Sequence, residues 1–165
     1  MHYLSSLHLL GLPLIHIAIG PSENDPGNRG FAKGWIAIGD VALGILLAIG
    51  GLAAGGVAIG GISLGVLALA GFSLGVWSLG GLALGVYALG GGAVALWAAE
   101  GGFALALEFA RGGAAIAQHA NDPVANAFFD THFFFRAASF AARYSRWLLA
   151  LVFIAPILRW MRRGK

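Results

Sequence analysis

A glycine returns at nearly every fifth position through the middle of this chain: Gly39, Gly44, Gly50, Gly55, Gly60, Gly65, Gly75, Gly80, Gly85 and Gly90. In register, the units begin at Phe31, Ile36 and Val41, skip one residue at Leu46, and resume at Leu47-Ala-Ile-Gly-Gly. They continue from Leu52, Val57, Ile62, Leu67, Phe72, Trp77, Leu82 and Tyr87, with weaker copies from Trp97, Phe103, Phe109 and Ala114 and an isolated early one at Ile17. Five residues advance an α-helix by about 140°, so glycines at this spacing spiral over every face instead of lining one seam. Pairs such as Gly51/Gly55, Gly61/Gly65 and Gly81/Gly85 do satisfy the GxxxG pattern of packed transmembrane helices. Against that reading, repeated glycines cost about 1 kcal/mol each in helix interiors relative to alanine, and no polar turns divide the stretch. A short strand and a corner per unit, coiled so that successive turns hydrogen-bond to one another, accounts for the spacing.

The fifth position carries a second regularity. It reads Gly51, Gly56, Gly61, Val66, Gly71, Val76, Gly81, Val86 and Gly91, an alternation with a period of ten. Four units per coil would stack residues twenty apart, placing Gly51, Gly71 and Gly91 in one column and Gly61, Gly81 and Gly101 in the opposite one. These six glycines are candidates for close approach by another backbone or a flat apolar partner. The competing cause is a corner with positive φ, which β-branched Val66, Val76 and Val86 at the equivalent position would tolerate poorly.

Charge distribution sets the surroundings. Hydrophobic residues make up 59% of the sequence and the mean hydropathy is +0.83, above the roughly 45–50% apolar usage of soluble domains. From Ile36 to Ala99 the only charged side chain is Asp40, too little polar surface to cover a compact body in water. The outside of this stretch is expected to meet lipid or protein. The net charge of +3 comes largely from Arg143, Arg146, Arg159, Arg162, Arg163 and Lys165 around the apolar run Trp147–Trp160. Basic residues and tryptophans flanking an apolar run suit lipid headgroups, so Trp147, Trp160 and these five arginines are membrane-interface candidates. Nucleic acid is not an expected partner.

Over roughly residues 31–118 the Ala-Leu-Gly units resemble the pentapeptide-repeat proteins. The resemblance implies a right-handed, four-sided β-helix with a large apolar residue at the centre of each unit, here Leu64, Leu69, Leu74, Leu79, Leu84 and Leu89. Ala or Ser stands where that family usually has Asp or Asn before the central Leu, so the acidic, DNA-mimicking role of some members does not carry over. The glycine-rich units are also similar to uncharacterised hydrophobic repeat proteins of bacterial membranes.

The chain divides into an apolar segment with a polar loop (1–30), the repeat (31–118) and a helical region (119–165) with a short apolar membrane segment (147–160). The first twenty residues lack a basic n-region and a cleavage site and read as mature structure. About seventeen units at four per coil predict a rod about 20 Å tall, and 147–160 is about 21 Å long as a helix, both short of the roughly 30 Å hydrocarbon core. Asp122-Pro123 is a helix start, with Asp as N-cap, for a phenylalanine-rich helix running through Arg136 toward Arg146.

Chemistry is sparse. With no cysteine, disulfides and thiolate metal sites are excluded. His16, and His119-Ala-Asn-Asp122 with Asp130 and His132, are the candidates for a polar site, but Asp130 and His132 diverge on a helix and a capping role suits His119, Asn121 and Asp122. Ser63, Ser73 and Ser78 replace Ala in the repeat with no base beside them and read as hydroxyls bonding backbone. The expectation is a mainly β, four-sided β-helix with C-terminal helices, embedded in or bound to the bacterial cytoplasmic membrane. Its role would be that of a non-enzymatic scaffold or accessory subunit contacting lipid, other membrane subunits or copies of itself, without cofactor or metal. The alternative is a component of an oligomeric transport or pore assembly.

Overall fold

The computed structural model describes residues 2–5, 7–20, 30–141 and 143–144. The chain is mainly β. Its elements are β1 (His2–Leu4), β2 (His8–Leu9), β3 (Leu12–Pro13), β4 (Ile15–Ala18), β5 (Phe31–Leu105), β6 (Phe109–Ile116), β7 (His119–Ala120) and α1 (Pro123–Thr131). One sheet runs β1-β4-β5-β6-β7, antiparallel only between β1 and β4, and β2 pairs with β3 in a hairpin. Two compact units divide the chain, Met1–Ala125 and Asn126–Lys165.

β5 is one unbroken extended element of 75 residues, which would reach about 250 Å if straight, at about 3.3 Å per residue. It is not straight. Gly60 lies against the carbonyl of Gly50, Gly65 against that of Gly55, Gly75 against Gly65, Gly85 against Gly75 and Gly90 against Gly80. The chain therefore returns on itself every ten residues, two pentads per turn. This corrects the expected four pentads per coil: residues ten apart are neighbours, not residues twenty apart. The extra residue at Leu46 lengthens one return to eleven, Gly39 to Gly50 and Gly44 to Gly55, and a second eleven-residue return takes Gly90 to Gly101. Parallel pairing continues at that offset into β6, with Ala99 opposite Ala110 and Glu100 opposite Arg111.

The interior of the coil is narrow, and this decides which residue goes where. Alternation along an extended chain sends the second and fourth residues of each pentad to the same side. The second position is inside: Ala32, Ala37, Ala42, Ala48, Ala58, Ala68, Ala83, Ala88 and Ala93 are fully buried, as are Ser73 and Ser78. Ser73 Oγ and Ser78 Oγ meet at 2.6 Å, so residues five apart face each other across the interior, and Ser78 also donates to the Ser73 carbonyl at 2.9 Å. Ser63 Oγ, sealed in the same interior, has no hydrogen-bond partner among the described residues. The fourth position would also point inward, but a Cβ on Gly75 would collide with the Gly65 carbonyl and stand 3.2 Å from the Ala68 methyl. No side chain fits there without a shift of the backbone, which is the reason for the five-residue glycine. Ala70 and Ala95 are exceptions that the coil accommodates.

The leucines of the repeat therefore do not form its centre. Leu64 and Leu74 are exposed, and Leu69, Leu79, Leu84 and Leu89 are half-buried on the outside. Two facing strands ten residues per turn apart leave room for methyl and hydroxymethyl groups only, so the large side chains have no other place to go.

Both edges of the stacked ladder are closed, as an unpaired strand edge requires. At the first coil, β4 pairs in parallel with β5 (Ile15 opposite Ile36) and is covered in turn by β1. At the last, β7 pairs with β6, and the Asn121 amide copies a strand: it accepts from the Gly112 N–H at 2.9 Å and donates to the Gly112 carbonyl at 2.9 Å.

α1 begins where Asp122 Oδ1 accepts the Ala125 N–H at 2.7 Å, an N-cap. It ends at Thr131, and a second helical stretch covers 133–141. Within Asn126–Lys165 the phenylalanines pack on one another, Phe129 against Phe135 at 4.6 Å between ring centroids. Among the described residues no helix is long and apolar enough to cross a membrane. The apolar segment 147–160 lies outside the described residues.

Two pairs of substitutions test this interior, with unfolding followed by circular dichroism in mild detergent. Gly75→Ala is expected to destabilise by about 1–3 kcal/mol through overpacking, whereas Gly71→Ala, whose Cβ would stand 3.2 Å from the Gly61 carbonyl on the outside of the coil, is expected to change stability by about 0.5 kcal/mol or less. Ser63→Ala is expected to be neutral or stabilising because it removes an unpaired buried hydroxyl. Ser78→Ala strands the Ser73 hydroxyl and is expected to cost about 1–3 kcal/mol. Equal effects within either pair would contradict the packing described.

Candidate interaction surface

With methyl groups inside, the apolar mass of the repeat lies outside, on the first, third and fifth residues of each pentad. Ile62, Leu64 and Val66 are 50%, 54% and 52% exposed in one unit, and Phe72, Leu74, Val76 and Trp77 are exposed in the units that begin at Phe72 and Trp77. Because residues ten apart stack at about 4.8 Å, like positions form continuous apolar ridges.

On one side Leu74, Leu84 and Val94 form a ridge and Val76, Val86 and Leu96 another. Gly75, Gly85 and Ala95 form the floor between them, giving an apolar groove of about 400 Å³. The other side carries the glycine stripe. Gly51, Gly61, Gly71, Gly81 and Gly91 stand in one exposed column, each beside a carbonyl one coil earlier, at 3.0, 3.0, 3.2, 2.9 and 3.0 Å from a Cβ built there. The five therefore share a column instead of alternating between two, with the valines across the coil. Gly101 does not belong with them: it stacks on Gly90 in an inward glycine column, and Gly102 continues the stripe. None of the six has left-handed backbone, so positive φ is not the reason for glycine here.

Polar groups gather at the two ends of the coil. At the first, Asp40 Oδ2 accepts the N–H groups of Gly20 and Gly30 at 3.1 Å each, tying together the residues that flank 21–29. His16 Nδ1 accepts the Lys33 N–H at 2.9 Å. Trp35 Nε1–H donates to the Leu9 carbonyl at 2.9 Å. At the far end, Arg111 donates from Nε and Nη2 to Glu100 Oε1 at 3.1 and 2.8 Å, and His119, stacked on Phe109, meets Asp122 Oδ2 at 2.7 Å. The Ala125 N–H and then His119 hold the Asp122 carboxyl below its ordinary pKa, as a capping carboxylate requires. Burial lowers the pKa of His132, whose ring stacks on Phe128.

These groups serve as caps and clips. Asp130 is exposed and His132 half-buried among phenylalanines, and among the described residues no three His, Asp or Glu side chains gather as a metal site would need. Arg143 is exposed; Trp147, Trp160, Arg146, Arg159, Arg162 and Arg163 lie outside the described residues. Sequence reasoning missed the role of Asp40, which had a visible signal as the one charge in a column that is otherwise glycine. It read Asn121 as a capping residue but not its partner Gly112, which is reached only through the stacking.

Removing the Asp40 carboxylate tests the clip. Asp40→Ala is expected to destabilise by about 1.5–3 kcal/mol, the scale of hydrogen bonds to a charged acceptor, and Asp40→Asn, which keeps an acceptor oxygen, by less. Equal thermal midpoints for wild type and Asp40→Ala would remove it.

No family model, no curated protein and no solved structure matches this chain.

Proposed function

We propose that this chain is a non-enzymatic membrane scaffold or accessory subunit. Its repeat is a β-solenoid with two pentads per coil, and its work is done by the outside of that solenoid, which contacts lipid or the apolar surfaces of partner membrane proteins. One observation carries the reading: the repeat buries alanine, serine and glycine and leaves its leucine, isoleucine, valine and aromatic side chains outside. A buried methyl contributes far less than a buried Leu or Phe, so the principal apolar gain comes from whatever covers the outer ridges. Hydrocarbon or an apolar protein face supplies it, and water does not. Conduction along the coil axis has no room, since the alanines and serines fill the interior.

Membranes from cells expressing the protein, washed first with high salt and then with alkaline carbonate, are expected to retain it. Release by salt alone would show that basic residues hold the chain to the headgroups and that the ridges contact no lipid.

A further inference from the structure

The polar groups at the two ends of the coil are separated by a distance that has a physical counterpart. The inward column Gly39, Gly50, Gly60, Ala70, Gly80, Gly90, Gly101 takes six steps from one coil to the next, about 29 Å at about 4.8 Å per step. Asp40 directly follows the first member of this column and Glu100 directly precedes the last. From Val41 to Ala99 there is no Asp, Glu, Lys, Arg or His, and the three serines in that range are buried inside. The charge-free band of the coil is therefore about as tall as the hydrocarbon core of a bilayer, about 30 Å.

We infer, resting on the membrane reading above, that the coil spans the bilayer with its axis along the membrane normal, the acyl chains of the lipid covering its outer ridges. The Asp40 end meets water on one side and the Glu100–Arg111 end on the other. A stacked β-coil satisfies its backbone hydrogen bonds from one turn to the next, which is what hydrocarbon demands of a spanning structure. Its unpaired edges fall at the ends, where β1 and Asn121 cover them and water is within reach. Trp35 and Trp97 stand near the two ends, the depth at which the indole ring is favoured.

A rod lying flat in the headgroup region is the competing arrangement, and it requires one polar face. The coils between Asp40 and Glu100 have none. Ile59 and Leu69 on one side and Leu64 and Leu74 on the other are matched apolar ridges, and the stripe between ridges is glycine or valine.

The absence of native cysteine makes the arrangement measurable. Lys33→Cys and Ile116→Cys place thiols at exposed positions beyond the two ends of the band, and Ile59→Cys and Leu64→Cys place them inside it on opposite sides. The variants are reconstituted in sealed phosphatidylcholine/phosphatidylglycerol vesicles, treated with a membrane-impermeant maleimide, and weighed by mass spectrometry before and after detergent. For the double variant Lys33→Cys/Ile116→Cys, spanning gives one label per molecule whichever way it is inserted, rising to two in detergent. The single variants at 59 and 64 are expected to stay unlabelled until detergent is added. A mixture of doubly labelled and unlabelled molecules would place both ends on one side of the bilayer and overturn spanning while leaving membrane insertion intact. Labelling at 59 alone or at 64 alone would show a rod lying flat. Labelling of every variant before detergent, in protein that carbonate releases, would overturn the membrane reading itself.

Discussion

Each turn of the repeat rests on the one before it through the approach of a glycine to the carbonyl ten residues earlier. Gly60 over Gly50, Gly75 over Gly65 and Gly85 over Gly75 bring backbone to backbone where even a methyl would collide. That approach sets the coil at two pentads, because it holds the two facing strands so near that Ser73 and Ser78 touch across the interior. Alanine at the second position and glycine at the fourth follow from one constraint. The four inward positions of each ten-residue turn are filled by two small side chains and two stretches of bare backbone.

From the same constraint comes an inversion of the usual distribution of apolar mass. In a water-soluble domain large side chains converge on a core and dominate its stability. Here they stand outside in ridges, and the core is made of methyl groups. A coil built this way is a surface before it is a container. It has ridges of leucine and valine on one side and a glycine stripe on the other, and its charges are confined to the ends. The end groups do separate work: Asp40 clips the entry of the chain to the first full coil, and Asn121 closes the last by imitating the strand that is missing there.

Much of the local order was legible. The five-residue glycine pointed to strands and corners and away from helices because a helix gives that period no face. Asp122-Pro123 carried an N-cap that depends only on local geometry. The alternation of glycine and valine at the fifth position held the period of ten in plain view, yet a period of ten is satisfied equally by stacking at ten and at twenty. The resemblance to four-sided pentapeptide-repeat coils put leucine at the centre, and that expectation stands or falls with four units per coil: a four-sided coil has an interior wide enough for leucine, and a two-sided coil does not. The invariably small second residue was the available sign, since a position that accepts only Ala and Ser through Ala32–Ala93 is confined.

By itself the sequence determined that the middle of this chain is a β-repeat with an apolar exterior and charged ends, because periodicity and composition are properties of the residues and need no knowledge of what each one touches. Only the tertiary structure decided that a turn takes ten residues, that Gly51, Gly61, Gly71, Gly81 and Gly91 form a single stripe, that Gly101 belongs to another column, and that Asp40 reaches Gly20 and Gly30. These are contacts between residues ten and more apart, fixed by how far two strands can approach before carbonyl oxygen meets carbon. That distance is a property of the folded backbone, not of any one residue.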